Sequence, residues 1–308
     1  MNEPAPSAVL GRRPPSQMLK AFRLHGLKVG ELPGRLYHEL DRDNALGLAA
    51  ELAFFTLLSV FPFLIFLLTL IAYLPVPNLA PKLMTYMSKV VPADALRLLE
   101  GVVLPIVARQ RADLLTISFI FSIWSASTAL GTLMGVMNHA YDVPETRSWF
   151  WRKGVNVAMT IGLSIFIILA LALVVLGHPF AGTIARLIGA GEIFAFAWYI
   201  GQWPIAFILL SFALAVLYYA SPNIPQRWHW ITPGSVLGAL LWIAFSEGFA
   251  YYVRNFGSYN KIYGSIGAVV VLMLWLYVTA LAVIIGGELN AIIDQAAAKE
   301  ARLKAGHP

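Results

Sequence analysis

The 308-residue sequence contains no cysteine, which excludes disulfides, thiolate metal sites and cysteine nucleophiles. Charge is also scarce. Asp, Glu, Lys and Arg together make up 12% of the chain, about half of the ~25% usual for a soluble domain. No G-x-x-x-x-G-K-[ST] phosphate loop, no H-E-x-x-H pair and no G-x-S-x-G elbow is present, so neither nucleotide hydrolysis nor a familiar hydrolase site is expected. The histidines, at 25, 38, 139, 178, 229 and 307, are too scattered to suggest a metal site. No basic platform interleaved with aromatics offers itself to nucleic acid. The expectation is a protein that is not an enzyme and has no catalytic residue, metal, cofactor or nucleic-acid partner.

Hydrocarbon is in excess: 59% of residues are hydrophobic. A helix needs about 20 apolar residues to cross a bilayer. Six runs qualify, at roughly 45–73, 114–140, 154–177, 199–220, 232–253 and 264–287. They are too long for barrel strands, and open strand edges cannot face lipid. The fold class is therefore an all-α polytopic membrane protein, a six-transmembrane-helix bundle. Its expected parts are a basic N-terminal segment over 1–44, the transmembrane domain over 45–290 and a tail over 291–308. The first loop, about 74–113, shows apolar residues at helical spacing in "APKLMTYMSKVV" and "ADALRLLEGVVLPIVARQR". It reads as two short amphipathic interfacial helices. The N-terminal "QMLKAFRLHGLKV" reads either as a similar surface stretch or as a solvated tail. No cleavable signal peptide is expected, because no apolar segment precedes Ala45.

Lysines and arginines set the orientation. Fourteen fall on the side of the two termini and eight on the other. Both termini are thus expected in the cytoplasm. The simplest reading of the net charge of +6 is basic loops on that side.

Polar groups within the spans ask for explanation, because an ionisable residue facing lipid is costly. Three are glutamates: Glu51, Glu247 and Glu288. Glu51 lies seven residues into its run, with Asp43 or Asn44 as a helix N-cap upstream. It has two readings, a boundary residue favoured by the helix dipole or a cavity-lining group. Glu288 ends the last span, where the dipole is unfavourable, so a buried partner such as Arg152, Lys153 or Arg227 is expected. Ser118, Ser122 and Ser125 can line a polar path along span two. Asn138, Asp142, Glu145 and Arg147 gather at its end and read most simply as a capped helix end and a turn, beside an interfacial belt of Trp149 and Trp151. The candidate polar lining is Glu51, Ser122, Ser125, Asn138, Glu247, Glu288 and Asn290, and spans one, two, five and six are expected to enclose it.

Proline and small residues complete the pattern. Pro62 is expected to kink span one, and Pro204 to sit in the first turn or so of span four. Small-residue stripes run through Ala45, Ala49 and Ala53, through Ser127, Gly131, Gly135 and His139, and through Gly234 and Gly238. They read as helix contacts within the bundle. Dimerisation through one of them is the alternative, and the oligomeric state stays open.

Four stretches carry a resemblance: "DRDNALGLAAELAFFTLLSVFPFLI", "WSASTALGTLMGVMNHAYDVPETRSWFWRKG", "LYYASPN" and "YNKIYGSIGAVVVLMLWLYVTALAVIIGGELNAI". From about residue 35 to 293 the chain resembles the YihY/BrkB family of bacterial inner-membrane proteins. The resemblance implies six helices with both termini cytoplasmic, in a multi-pass protein of the bacterial inner membrane. The family's older label, ribonuclease BN, is regarded as a misassignment. The motif positions that map onto this chain are Ser59, Pro62, Ser125, Ser127, Asn138, Tyr141, Glu145, Tyr263, Gly264, Trp275, Tyr277, Gly286, Glu288 and Asn290. Gly287 stands where the family commonly has alanine. No catalytic residue is carried over. The functional expectation is transport, or translocation of a lipid or envelope precursor, with membrane lipids as partners. The alternative is a non-transporting scaffold or accessory subunit that works with an envelope-biogenesis protein.

Overall fold

The computed structural model describes residues 27–73, 105–106, 110–187, 191–226, 228–256 and 260–304. Among them are a 3-10 turn at Val29–Glu31, seven α-helices and no strand. The helices are α1 (Leu32–Arg42), α2 (Ala45–Ile71), α3 (Ala112–Ala140), α4 (Trp149–Leu187), α5 (Gly191–Ala220), α6 (Pro233–Phe256) and α7 (Asn260–Lys304). Six of them, α2 to α7, are long and apolar enough to cross a membrane. The amphipathic helices expected in the first loop, and the basic stretch before residue 27, fall almost wholly outside the described residues.

The six long helices form a ring in chain order. Each packs on the next, and α7 closes onto α2. In an up-and-down ring, the N-termini of α2, α4 and α6 and the C-termini of α3, α5 and α7 share one end. That end also receives α1 and is called the terminal face below.

Side-chain size decides how closely neighbours approach. Ala45, Ala49 and Ala53 are at most 2% exposed and form a small-residue seam of α2. At the α6–α7 contact the backbones nearly touch. A Cβ on Gly234 would collide with the Gly286 carbonyl, and one on Gly238 would lie 2.9 Å from Tyr218 Oη. Buried Tyr218 donates from that oxygen to the Val283 carbonyl at 2.7 Å, which ties α5 to α7. Met134, Met137 and Ile284 fill the space between α3 and α7.

Several boundaries differ from the sequence reading. Asn44 occupies the N-cap position of α2 with a left-handed φ of 50°, but its side chain makes no capping bond. Pro62 lies inside α2, which runs on to Ile71. Pro204 does not open its helix: α5 begins at Gly191, because the apolar residues ahead of the proline continue the helical path. α7 has 45 residues, a rod of about 68 Å at the α-helical rise, so it outreaches any bilayer. The boundary expected at 290 falls within it.

Candidate functional site

A cavity of about 530 Å³ lies between α2, α3 and α4. From α3 the wall is the stripe of Ser127, Gly131, Gly135 and His139. A Cβ on Gly135 would meet nothing within 4 Å. The stripe read from the sequence as a helix contact is one at Gly131, where a Cβ would lie 3.0 Å from Asn156 Nδ2, and makes room at Gly135. From α2 come Leu48, Glu51 and Phe55; from α4 come Trp149, Arg152, Lys153 and Asn156.

The charges in this cavity are unevenly held. Lys153 Nζ donates to the Trp124 carbonyl at 3.2 Å and to Thr128 Oγ1 at 3.3 Å. It also sits 4.0 Å above the Trp124 ring, a cation–π arrangement. Arg152, half-buried, has no side-chain partner among the described residues, and neither has Glu51. Opposite charges thus share one cavity without forming an ion pair. Asn156 is 3% exposed, and its Oδ1 is buried without a hydrogen-bond partner. Such an orphan is costly and uncommon. A second cavity, of about 600 Å³, lies against Arg147, Trp151, Tyr219 and the 222–226 turn.

The terminal face is, by contrast, closely bonded. Asn138 ends α3 and donates to Glu145 Oε2 at 3.0 Å, while its Oδ1 accepts from the Asn223 backbone at 2.7 Å. Arg147 forks onto both oxygens of Glu145, at 2.8 and 2.7 Å, and reaches the Ser221 carbonyl at 2.9 Å. Asn223 Nδ2 returns to Thr146 Oγ1 at 2.7 Å. These bonds clamp the α3–α4 turn to the α5–α6 turn. The Arg147 fork, with burial opposing it, lowers the Glu145 carboxyl from its usual 4.5 to about 2. Tyr141 donates to Asp294 at 2.9 Å. Burial and that carboxylate push the phenol well above its ordinary range. Arg42 serves three carboxylates, Glu39, Asp43 and Asp142. Its guanidinium is held more firmly protonated, chiefly by the bond to Asp43.

The residues singled out from sequence do not converge on one site. Glu51 faces the cavity. Ser122 is buried and donates to the Ser118 carbonyl at 2.6 Å, and Ser118 donates in turn to Leu114 at 2.6 Å, so both hydroxyls are satisfied by their own helix. Ser125 is half-buried and Glu247 is exposed. Asn290 belongs to the α6–α7 contact, accepting from Gly234 N at 2.8 Å and donating to Thr232 Oγ1 at 2.9 Å. Glu288 is 1% exposed, and its Oε1 has no hydrogen-bond partner. The expected cation partner is absent among the described residues. The charges that act on Glu288 are Asp43, Glu39 and Asp142, of its own sign, against Arg42 alone. Arg152 and Lys153 share its end of the bundle but line the α2–α3–α4 cavity, and Arg227, the third cation expected there, lies outside the described residues. The cavity also lies between spans one, two and three, whereas the expected enclosure involved spans one, two, five and six.

Sequence reasoning missed Asn156, and it treated Arg152 and Lys153 only as topological charges. The signal was present as Arg152, Asn156 and Thr160, polar residues four apart on the opening turns of α4. Among the described residues no group of three or more His, Asp or Glu is placed to hold a metal ion.

Comparison with known proteins agrees with this architecture. The ribonuclease-like protein YfkH of Bacillus subtilis is 36% identical over 247 residues, covering 80% of this chain and 89% of YfkH. The UPF0761 membrane protein VV0203 of Vibrio vulnificus is 26% identical over 276 residues, covering 87% and 82%. The UPF0761 membrane protein AZOSEA40600 of Aromatoleum aromaticum is 27% identical over 255 residues, covering 80% of this chain and 59% of that protein. No solved structure matches. The family model described as Virulence factor BrkB matches residues 36–307. With six helices fit to cross a membrane and a family match over nearly the whole described bundle, the chain belongs to the BrkB family of multi-pass membrane proteins.

Proposed function

We propose that this protein is a transport component of the bacterial inner membrane that moves a lipid or an envelope precursor, with both termini in the cytoplasm. One observation carries the reading: the cavity between α2, α3 and α4 holds Glu51 and Arg152 without side-chain partners among the described residues, and its wall includes Asn156, whose Oδ1 is unpartnered, in a chain that is 59% hydrophobic. A bundle that only had to hold together would lower its energy by pairing or removing those groups. A path for a polar cargo needs them. The chain carries no nucleotide-binding loop, so movement is downhill, ion-coupled or driven by a partner protein. The test is flux of a labelled lipid in vesicles reconstituted with the purified protein. Flux above protein-free vesicles, reduced several-fold by Arg152→Gln, is expected. No flux from folded protein would instead favour a scaffold or accessory subunit that works with an envelope-biogenesis protein.

A further inference from the structure

We infer that the α2–α3–α4 cavity binds a phosphate ester that also carries a primary ammonium group, as in the headgroup of a phosphatidylethanolamine. The inference deepens the transport reading above and rests on it for its biological sense, though not for its test. The argument begins with sign and spacing. Arg152 and Lys153, adjacent on the first turn of α4, bring two cations to one wall, and Glu51 on α2 brings an anion to the wall contributed by another helix. No ion pair joins them among the described residues. Opposite charges that share one cavity without pairing are met together by a ligand with both signs. A fully anionic headgroup would leave Glu51 repelled, and a simple cation would leave Arg152 unmet.

Chemistry then assigns the ends. A guanidinium matches a phosphate with two parallel donors, and Arg152 has its fork free. Lys153 is fixed by the Trp124 carbonyl and Thr128, so it acts as a preset charge beside that fork. The ammonium end needs an acceptor, and Glu51 supplies it. A primary ammonium can donate to that carboxylate, whereas a quaternary one cannot donate at all. The cavity volume, about 530 Å³, falls within the range of small-molecule sites. It holds a headgroup and its glycerol linkage but not two acyl chains.

Native mass spectrometry of the purified protein, titrated with dioleoyl phosphatidylethanolamine, phosphatidylglycerol or phosphatidylcholine, tests this. The ethanolamine lipid is expected to bind first and roughly tenfold more tightly than either of the others, the worth of one charge-assisted hydrogen bond. Glu51→Gln should weaken the ethanolamine lipid and strengthen the glycerol lipid, a pair of opposite shifts that misfolding cannot produce. Arg152→Gln should weaken all three. Tighter binding of phosphatidylglycerol to the unaltered protein, or equal weakening of all lipids by Glu51→Gln, overturns the assignment. Displacement of the ethanolamine lipid by millimolar inorganic phosphate also overturns it, since the site would then be one for free phosphate. Flux without headgroup preference sinks this inference and leaves the transport reading intact. Preference without flux does the reverse.

Discussion

Glu145 and Glu288 are carboxylates held in opposite ways. Glu145 receives Asn138 and a two-pronged Arg147, and its carboxyl is lowered to about 2. A carboxyl whose folded value is depressed contributes stability that is present above its unfolded value. That contribution is complete above about 4.5 and is lost as pH falls toward 2. Thermal unfolding in detergent between those pH values should therefore lose stability more steeply in the unaltered protein than in Glu145→Gln. Parallel slopes would refute the coupling. Glu288 is buried with Oε1 unpartnered, and the charges that bear on it are Asp43, Glu39 and Asp142 of its own sign against Arg42 of the opposite sign. A buried carboxyl that faces more like charge than opposite charge costs free energy, and an amide of the same shape removes that repulsion. Glu288→Gln should raise Tm by several degrees, while Glu51→Gln, whose side chain is exposed to the cavity, should leave it nearly unchanged. A fall in Tm for Glu288→Gln would show that the carboxylate is a structural anchor.

At the scale of the helices, two stripes of small residues that look alike in sequence do different work. Gly234 and Gly238 let α6 lie against α7, where an added Cβ on Gly234 meets a backbone carbonyl. Gly131 and Gly135 lie in a cavity wall, the first tight against Asn156 Nδ2 and the second facing open space. The Gly234→Ala substitution forces two backbones apart, and overpacking of this kind costs about 1–3 kcal/mol or more. Gly287→Ala meets the Sδ and Cε of buried Met137 and, at 3.5 Å, Tyr218 Cε1, side-chain atoms that yield more readily than backbone. Gly234→Ala should therefore lower Tm by several degrees and Gly287→Ala by less. Equal effects would mean that the α6–α7 contact is looser than described. The difference between the stripes is not legible from one chain position at a time. It lies in what the opposing helix presents: the Gly286 carbonyl in one case, Asn156 and Lys153 in the other. The six spans were legible because apolar length alone dictates them. The azimuth of each helix was not, which is why the sequence pairs Glu288 with Arg152 and Lys153, which line another cavity, and puts Ser118 and Ser122 on a path although their hydroxyls bond to their own helix.

For the molecule as a whole, orientation is the property most open to direct measurement. The excess of lysine and arginine on the terminal side is the ground for proposing that this face is cytoplasmic, and the absence of native cysteine gives labelling no background. Ser148→Cys, on the terminal face, should react with an impermeant maleimide only from the cytoplasmic side. Arg111→Cys, at the start of α3, should react only from outside. The reverse pattern would invert the assignment. The ring order has a further consequence, for biogenesis. The helices emerge from the ribosome in the order in which they sit around the ring, so α2, α3 and α4 can assemble the walls of their cavity when about half the chain has been made. α7 is last, and it brings Glu288 to its place beside the α1–α2 corner and the end of α3. The last span to enter the bilayer is thus also the one that carries the least compatible side chain into the bundle.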